Sequence, residues 1–130
     1  MDGYQEGPSA EGPCVLVVED HAPLRELIET VLCGAGYKVI TTASGEEALV
    51  IARKTGVDVL ITDVGLPGLS GGELVQNFHT CSPTSRSIVI SGSDLQTLKR
   101  LAPGAHILQK PFTRKSLLAI VLESLSESLR

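Results

Sequence analysis

Five short apolar runs punctuate the chain, and each closes on polar or charged residues. Cys14-Val15-Leu16-Val17-Val18 runs into Glu19-Asp20, and Val59-Leu60-Ile61-Thr62 runs into Asp63. Tyr37 to Thr41, Ser87 to Ser91 and His106 to Lys110 have the same form. Short β-branched runs bounded by turn formers predict strands, and runs apolar on both faces belong in a parallel sheet covered by helices. Between the runs the spacing becomes helical. Leu24, Leu27, Ile28, Val31 and Leu32 share one face of a helix that Gly34 and Gly36 stop. Ser44-Gly45-Glu46-Glu47 and Ser70-Gly71-Gly72-Glu73 both have the capping-box form S-x-x-E. They open helices carrying Ala48, Leu49 and Ala52, and Leu74, Val75 and Phe78. A short fourth helix carries Leu95, Leu98 and Leu101 and ends at Pro103-Gly104. Thr113 caps a last one carrying Leu117, Leu118, Val121, Leu122 and Leu125. Strand and helix alternate five times, which with right-handed crossovers predicts an α/β fold, a parallel sheet with helices on both faces.

Composition narrows the class. The chain of 130 residues suits one domain, expected over residues 14–130, after a flexible Gly/Pro/Ser/Glu-rich lead-in over residues 1–13. Hydrophobic residues make up 42% and aromatics 3%, with no Trp, so the core is aliphatic. A net charge of −4 speaks against a nucleic-acid backbone binder. Cys14, Cys33 and Cys81 are odd in number and lack C-x-x-C spacing, which predicts buried thiols in a reducing cytosol. No membrane-length apolar run and no signal-peptide pattern occur, so a soluble, cytoplasmic chain is expected.

The residues closing the strands point to one chemistry. Parallel strands place their carboxyl ends along one sheet edge, where open α/β sheets bind ligands. That edge collects Glu19, Asp20, Asp63, Ser91 and Lys110. Singly, a strand-terminal Ser is usually a turn residue and a lone Lys a solvated charge. Jointly, the set is hard to attribute to accident. Clustered carboxylates repel, so one is protonated or a cation sits among them. Mg²⁺ suits hard oxygen ligands, keeps several waters and shares phosphate oxygens. Asp63 is then free to attack an electrophilic phosphorus, giving an aspartyl phosphate. Lys110 adds a second positive contact, Ser91 donates to a phosphoryl oxygen, and Gly92 leaves the approach open.

In these residues the chain resembles the receiver domains of two-component signalling. The likeness covers Cys14 to Leu125 and rests on Val18-Glu19-Asp20, Ile61-Thr62-Asp63-Val64-Gly65-Leu66-Pro67, Val89-Ile90-Ser91-Gly92 and Gln109-Lys110-Pro111-Phe112. It implies a flavodoxin-like, doubly wound (βα)5 fold with strand order 2-1-3-4-5. It also implies that Asp63 is the phosphoacceptor, taking a phosphoryl group from the phosphohistidine of a histidine kinase or phosphotransfer domain. Mg²⁺, or Mn²⁺ in its place, would be held by Asp20, Asp63 and the Gly65 carbonyl, with Glu19 acting mainly through metal-bound water. Ser91 would be the switch hydroxyl, Lys110 the phosphoryl contact, and Lys110-Pro111 a cis peptide. The Leu108 to Phe112 ending, the Leu66 to Gly71 turn and the loose lead-in resemble C-terminal receivers of hybrid sensor histidine kinases. On that reading the parent is a membrane-bound kinase. This piece is no conventional enzyme and itself contacts neither membrane nor nucleic acid.

Three positions depart from the family pattern. Ile107 stands where an aromatic ring commonly swings inward with the switch hydroxyl, and Glu19 replaces the commoner Asp. The segment from Gly92 to Ala105 is short, which leaves dimerisation through that face open. Two alternatives are a degenerate receiver that binds partners without phosphorylation and a Mg²⁺-dependent aspartyl-phosphate phosphatase. The intact acid, hydroxyl and lysine speak against the first; the second wants D-x-D, where Gly65 stands. A flavin or nucleotide binder wants a phosphate loop where Glu19-Asp20-His21 stands. His21, His79 and His106 lack ligand spacing and are expected to be surface or packing residues. No helix-turn-helix and no basic stripe follows within the 130 residues.

Overall fold

The computed structural model describes residues 12–92, 95–102 and 104–128. The described residues form β1 (Cys14–Val18), α1 (Ala22–Gly34), β2 (Lys38–Thr42), α2 (Gly45–Lys54), β3 (Val59–Asp63), α3 (Gly71–Cys81), β4 (Arg86–Ser91), α4 (Leu95–Leu101), β5 (His106–Gln109) and α5 (Arg114–Ser128). Every strand pair is parallel, and the order across the sheet is β2-β1-β3-β4-β5. This is the flavodoxin-like order. Most of the expected lead-in, residues 1–11, lies outside the described residues. Pro13 is already tied to the sheet, its carbonyl accepting from the Lys38 N–H at 3.0 Å.

The two-residue period of the strands sorts the core into two layers. Leu16, Val18 and Leu60 point to one face, where they meet Ala48, Leu49 and Ala52 of α2 and Leu74, Val75 and Phe78 of α3. Val17, Val59, Ile61 and Ile88 point to the other, against Ile28 and Leu32 of α1 and Leu117 and Val121 of α5. All five β1 positions are buried, as the interior of a doubly covered sheet requires. Phe78 is the largest of the fully buried side chains; truncating such a ring to Ala costs about 3–5 kcal/mol.

Several expectations shift in detail. β2 begins at Lys38 rather than Tyr37 and runs to Thr42, whose carbonyl accepts from the Glu19 N–H at 3.0 Å. The α3 capping box is complete, with Ser70 and Glu73 each bonded to the other's backbone N–H. The α2 box is half made: Ser44 accepts from the Glu47 N–H at 3.1 Å, but the Glu47 carboxylate turns to the Thr42 hydroxyl instead. Leu27 and Leu122, expected on buried faces, are 55% and 61% exposed. Each sits at the flank of its helix stripe, and on α5 the inward position goes to Ser124, whose hydroxyl donates to the Val121 carbonyl at 2.8 Å. Cys14 is buried as expected, whereas Cys33 and Cys81 are exposed, both lying in the last turns of helices. The helix α4 is short, seven residues, as its sequence predicts. The side chains of Leu95, Leu98 and Leu101, and all of Pro103, lie outside what is described.

Candidate functional site

The strand register brings the predicted residues to one edge. Val18 pairs with Thr62, so Glu19 and Asp20 leave β1 beside Asp63, the last residue of β3. Asp63 in turn pairs with Ile90, which places Ser91 one step further on, and Ser91 pairs with Gln109, just before Lys110. The Lys110 N–H donates to the Ser91 carbonyl at 2.9 Å, prolonging the ladder by one bond, and the Lys110–Pro111 peptide is cis.

Asp63 is gripped at both carboxylate oxygens. Lys110 Nζ donates to Oδ2 at 2.9 Å, and the Gly65 N–H donates to Oδ1 at 2.9 Å. Burial works against the charge on Asp63, but the Gly65 N–H, the Lys110 ammonium and a hydrogen bond from Glu19 hold the carboxyl below its usual range. Glu19 is the opposite case. It is 2% exposed, and burial, with the adjacent Asp63 charge adding to it and the His21 N–H opposing it, pushes its carboxyl up to about 7. Two neighbouring acids are thus shifted in opposite directions, Glu19 upward mainly by burial and Asp63 downward by the Gly65 N–H and the Lys110 ammonium. Asp20 is exposed at the rim, and Ser91 is buried at the end of β4.

This donor set fits a hard divalent cation that retains water. Glu19 and Asp63 lie side by side with Lys110 bonded to Asp63, and carboxylate oxygens are the ligands Mg²⁺ takes. It does not form a closed cage. Among the described residues, the group of metal-capable side chains whose donor atoms all lie within 4.8 Å of one another is His106, Glu123 and Glu127, at the far end of the molecule. An ion with few protein ligands and several waters matches the open acidic edge.

A model of the response regulator receiver domain matches residues 15–122. The chain belongs to the response regulator receiver domain family. The chemotaxis protein CheY4 of Vibrio cholerae superimposes with a TM-score of 0.83 at 29% identity, covering 88% of this chain and 99% of that one. The receiver domain of the hybrid histidine kinase CckA gives a TM-score of 0.75 at 33% identity, covering 86% of this chain and 98% of that one. The probable transcriptional regulator ycf27 of Porphyra purpurea is 36% identical over 105 residues, which is 79% of this chain and 43% of the relative. The chain spans less than half the length of such curated relatives.

As a receiver, the chain fills the phosphoacceptor part in two-component signal transduction, a role exercised with histidine kinases or phosphotransfer proteins and generally dependent on Mg²⁺. Among the described residues no helix is long and apolar enough to cross a membrane.

Two neighbours of the receiver site escape a reading of motifs. Arg25 Nη1 donates to the Glu19 carbonyl at 2.8 Å. The signal was a cation in the first turn of α1, where a helix N-terminus disfavours one. Gly71 packs on the backbone of Asp63; its signal was a glycine as the first residue of a capped helix, a place that good helix formers usually take. The histidines scatter as expected, with one addition. His21 is exposed, and His79 is half-buried against the Ser87 hydroxyl at 2.9 Å. His106 pairs with Glu127 at 3.1 Å, tying α5 to β5, a partnership hidden by their separation in sequence.

Proposed function

We propose that Asp63 is the phosphoacceptor of this receiver. One Asp63 carboxylate oxygen attacks the phosphorus of a partner's phosphohistidine; the P–O bond forms as the P–N bond breaks, and the electron pair returns to the imidazole nitrogen. The observation carrying this reading is the contrast at the sheet edge: Asp63 is held ionised by Lys110 and Gly65 beside a buried Glu19 raised to about 7. An ionised carboxylate is the form that attacks.

Asp20, Asp63 and the Gly65 carbonyl would hold Mg²⁺ or Mn²⁺, with Glu19 acting through water. When bound, the ion neutralises charge on the transferring oxygens. Lys110 contacts the phosphoryl group from the other side, and Ser91 donates its hydroxyl to a phosphoryl oxygen. Ile107, half-buried against the α2/α3 layer, stands where the family commonly has the ring that follows that hydroxyl, so this chain lacks the aromatic side chain of that relay. The partner is a histidine kinase or phosphotransfer domain, and the setting is the cytoplasm. The likeness to the receiver of the hybrid kinase CckA supports a parent of the hybrid sensor kinase kind.

Incubation with Mg²⁺ and acetyl phosphate tests the assignment. Intact mass should rise by one phosphoryl group in the wild type and stay unchanged in Asp63→Asn. Labelling that persists in folded Asp63→Asn would move the acceptor elsewhere. A folded wild type that is never labelled would favour a receiver that works without phosphorylation.

A further inference from the structure

Arg25 reaches back from the first turn of α1 to the loop that carries the acids, and its Nη1 meets the Glu19 carbonyl oxygen at 2.8 Å. Its position is unfavourable on local grounds. Arg25 is the fourth residue of α1, a helix with no acid in its first turn, and the partial positive charge of the helix end repels a cation. A charge-assisted hydrogen bond to a carbonyl offsets that penalty and holds the side chain over the loop.

What Arg25 holds matters more than that it is held. The Glu19 N–H already donates to the Thr42 carbonyl at 3.0 Å, and the Glu19 carboxylate accepts from the His21 N–H at 3.1 Å. With Arg25 on the carbonyl, both backbone polar groups of Glu19 are engaged. That carbonyl belongs to the rigid peptide plane joining Glu19 to Asp20. Fixing the oxygen fixes the plane, and the plane sets the direction in which Asp20 leaves the sheet edge.

We infer that Arg25 is a positioning residue, which orients the Glu19–Asp20 peptide and so presets the metal-side acids. The inference rests on the reading that Asp20 and Asp63 hold a divalent cation. It has a distinctive sign. As a bare charge, Arg25 would repel Mg²⁺, and its removal would tighten binding. As a positioning group, its removal loosens Asp20 and weakens binding.

The test is calorimetric titration of Mg²⁺ into the wild type, Arg25→Ala and Arg25→Lys, with amide hydrogen exchange at residues 20–21 in metal-free protein. Arg25→Ala should raise the dissociation constant about tenfold, the lower end for partners that orient metal ligands. Its amides at Asp20 and His21 should exchange faster. Arg25→Lys, which returns a charged donor, should recover most of the loss. Should Arg25→Ala not fold, Arg25→Met keeps the stem without donor or charge and decides the same sign. Unchanged or tighter binding in the folded neutral variant overturns the inference and leaves the metal reading standing. A folded wild type that takes up no Mg²⁺ at millimolar concentration overturns the metal reading, and this inference with it.

Discussion

A β-carbon at Gly71 would stand 2.3 Å from the carbonyl oxygen of Asp63 and 2.6 Å from Val64 Cα. The first residue of α3 thus touches the backbone of the proposed acceptor, and its own N–H donates to the Val64 carbonyl at 3.1 Å. The obstructing atoms are backbone, so no rotamer change relieves them. Gly71→Ala must push α3 away from the end of β3, at a cost of about 1–3 kcal/mol, as for other overpacked sites. Denaturant unfolding should read that loss, and labelling of Asp63 by acetyl phosphate should slow with it. A variant as stable and as reactive as the wild type would show that this contact constrains nothing.

Lys110 serves the chemistry rather than the fold, since its side chain is 36% exposed and its ammonium spends its hydrogen bond on Asp63 Oδ2. Lys110→Ala should leave Mg²⁺ binding intact or tighter, because a positive neighbour is gone. Labelling should fall about a hundredfold, the scale of losing one donor to developing charge. Loss of Mg²⁺ binding in this variant would instead make Lys110 a structural support of the acid cluster.

How far the sequence alone reaches differs between these residues. The strands were legible because runs such as Val15 to Val18 are apolar on both faces, and that pattern has one good home in a parallel sheet. Asp63, Ser91 and Lys110 were legible because each closes such a run, so topology alone aligns them. Gly71 and Arg25 were not, since their roles depend on a backbone approach and a carbonyl direction that no side-chain pattern encodes. Glu47 was misread for a related reason: the box motif names its partner, and the Thr42 hydroxyl competed successfully. The stripe reading of α5 failed at Leu122 because a helix buries an arc, and Ser124 lies nearer its centre.

Leu117 is fully buried between α5 and the sheet, while Leu122 is 61% exposed. Leu117→Ala should cost about 2–5 kcal/mol through lost burial and a residual cavity. Leu122→Ala should stay within about 0.5 kcal/mol, as surface changes do. Urea midpoints on the two variants distinguish the cases. Equal losses would mean that Leu122 is covered in solution.

His79 gives the fold a pH dependence of definite sign. Burial and the nearby Arg86 charge lower its imidazole pKa, against a smaller opposing hydrogen bond at Ser82, and its Nε2 meets the Ser87 hydroxyl at 2.9 Å. The unfolded chain therefore takes up a proton there more readily than the native state. The stabilising contribution is complete above the ordinary imidazole pKa of about 6.5 and is lost as pH falls through the lower folded value. Glu19 is shifted the other way, upward, and would favour the folded state on acidification. A comparison of wild type with His79→Gln removes that opposing influence, which both proteins share. The stability advantage of the wild type should shrink as pH drops from roughly 7.5 to 5, measured as the difference in denaturation midpoints. A gap that stays constant over this range would mean that His79 binds protons equally well in both states.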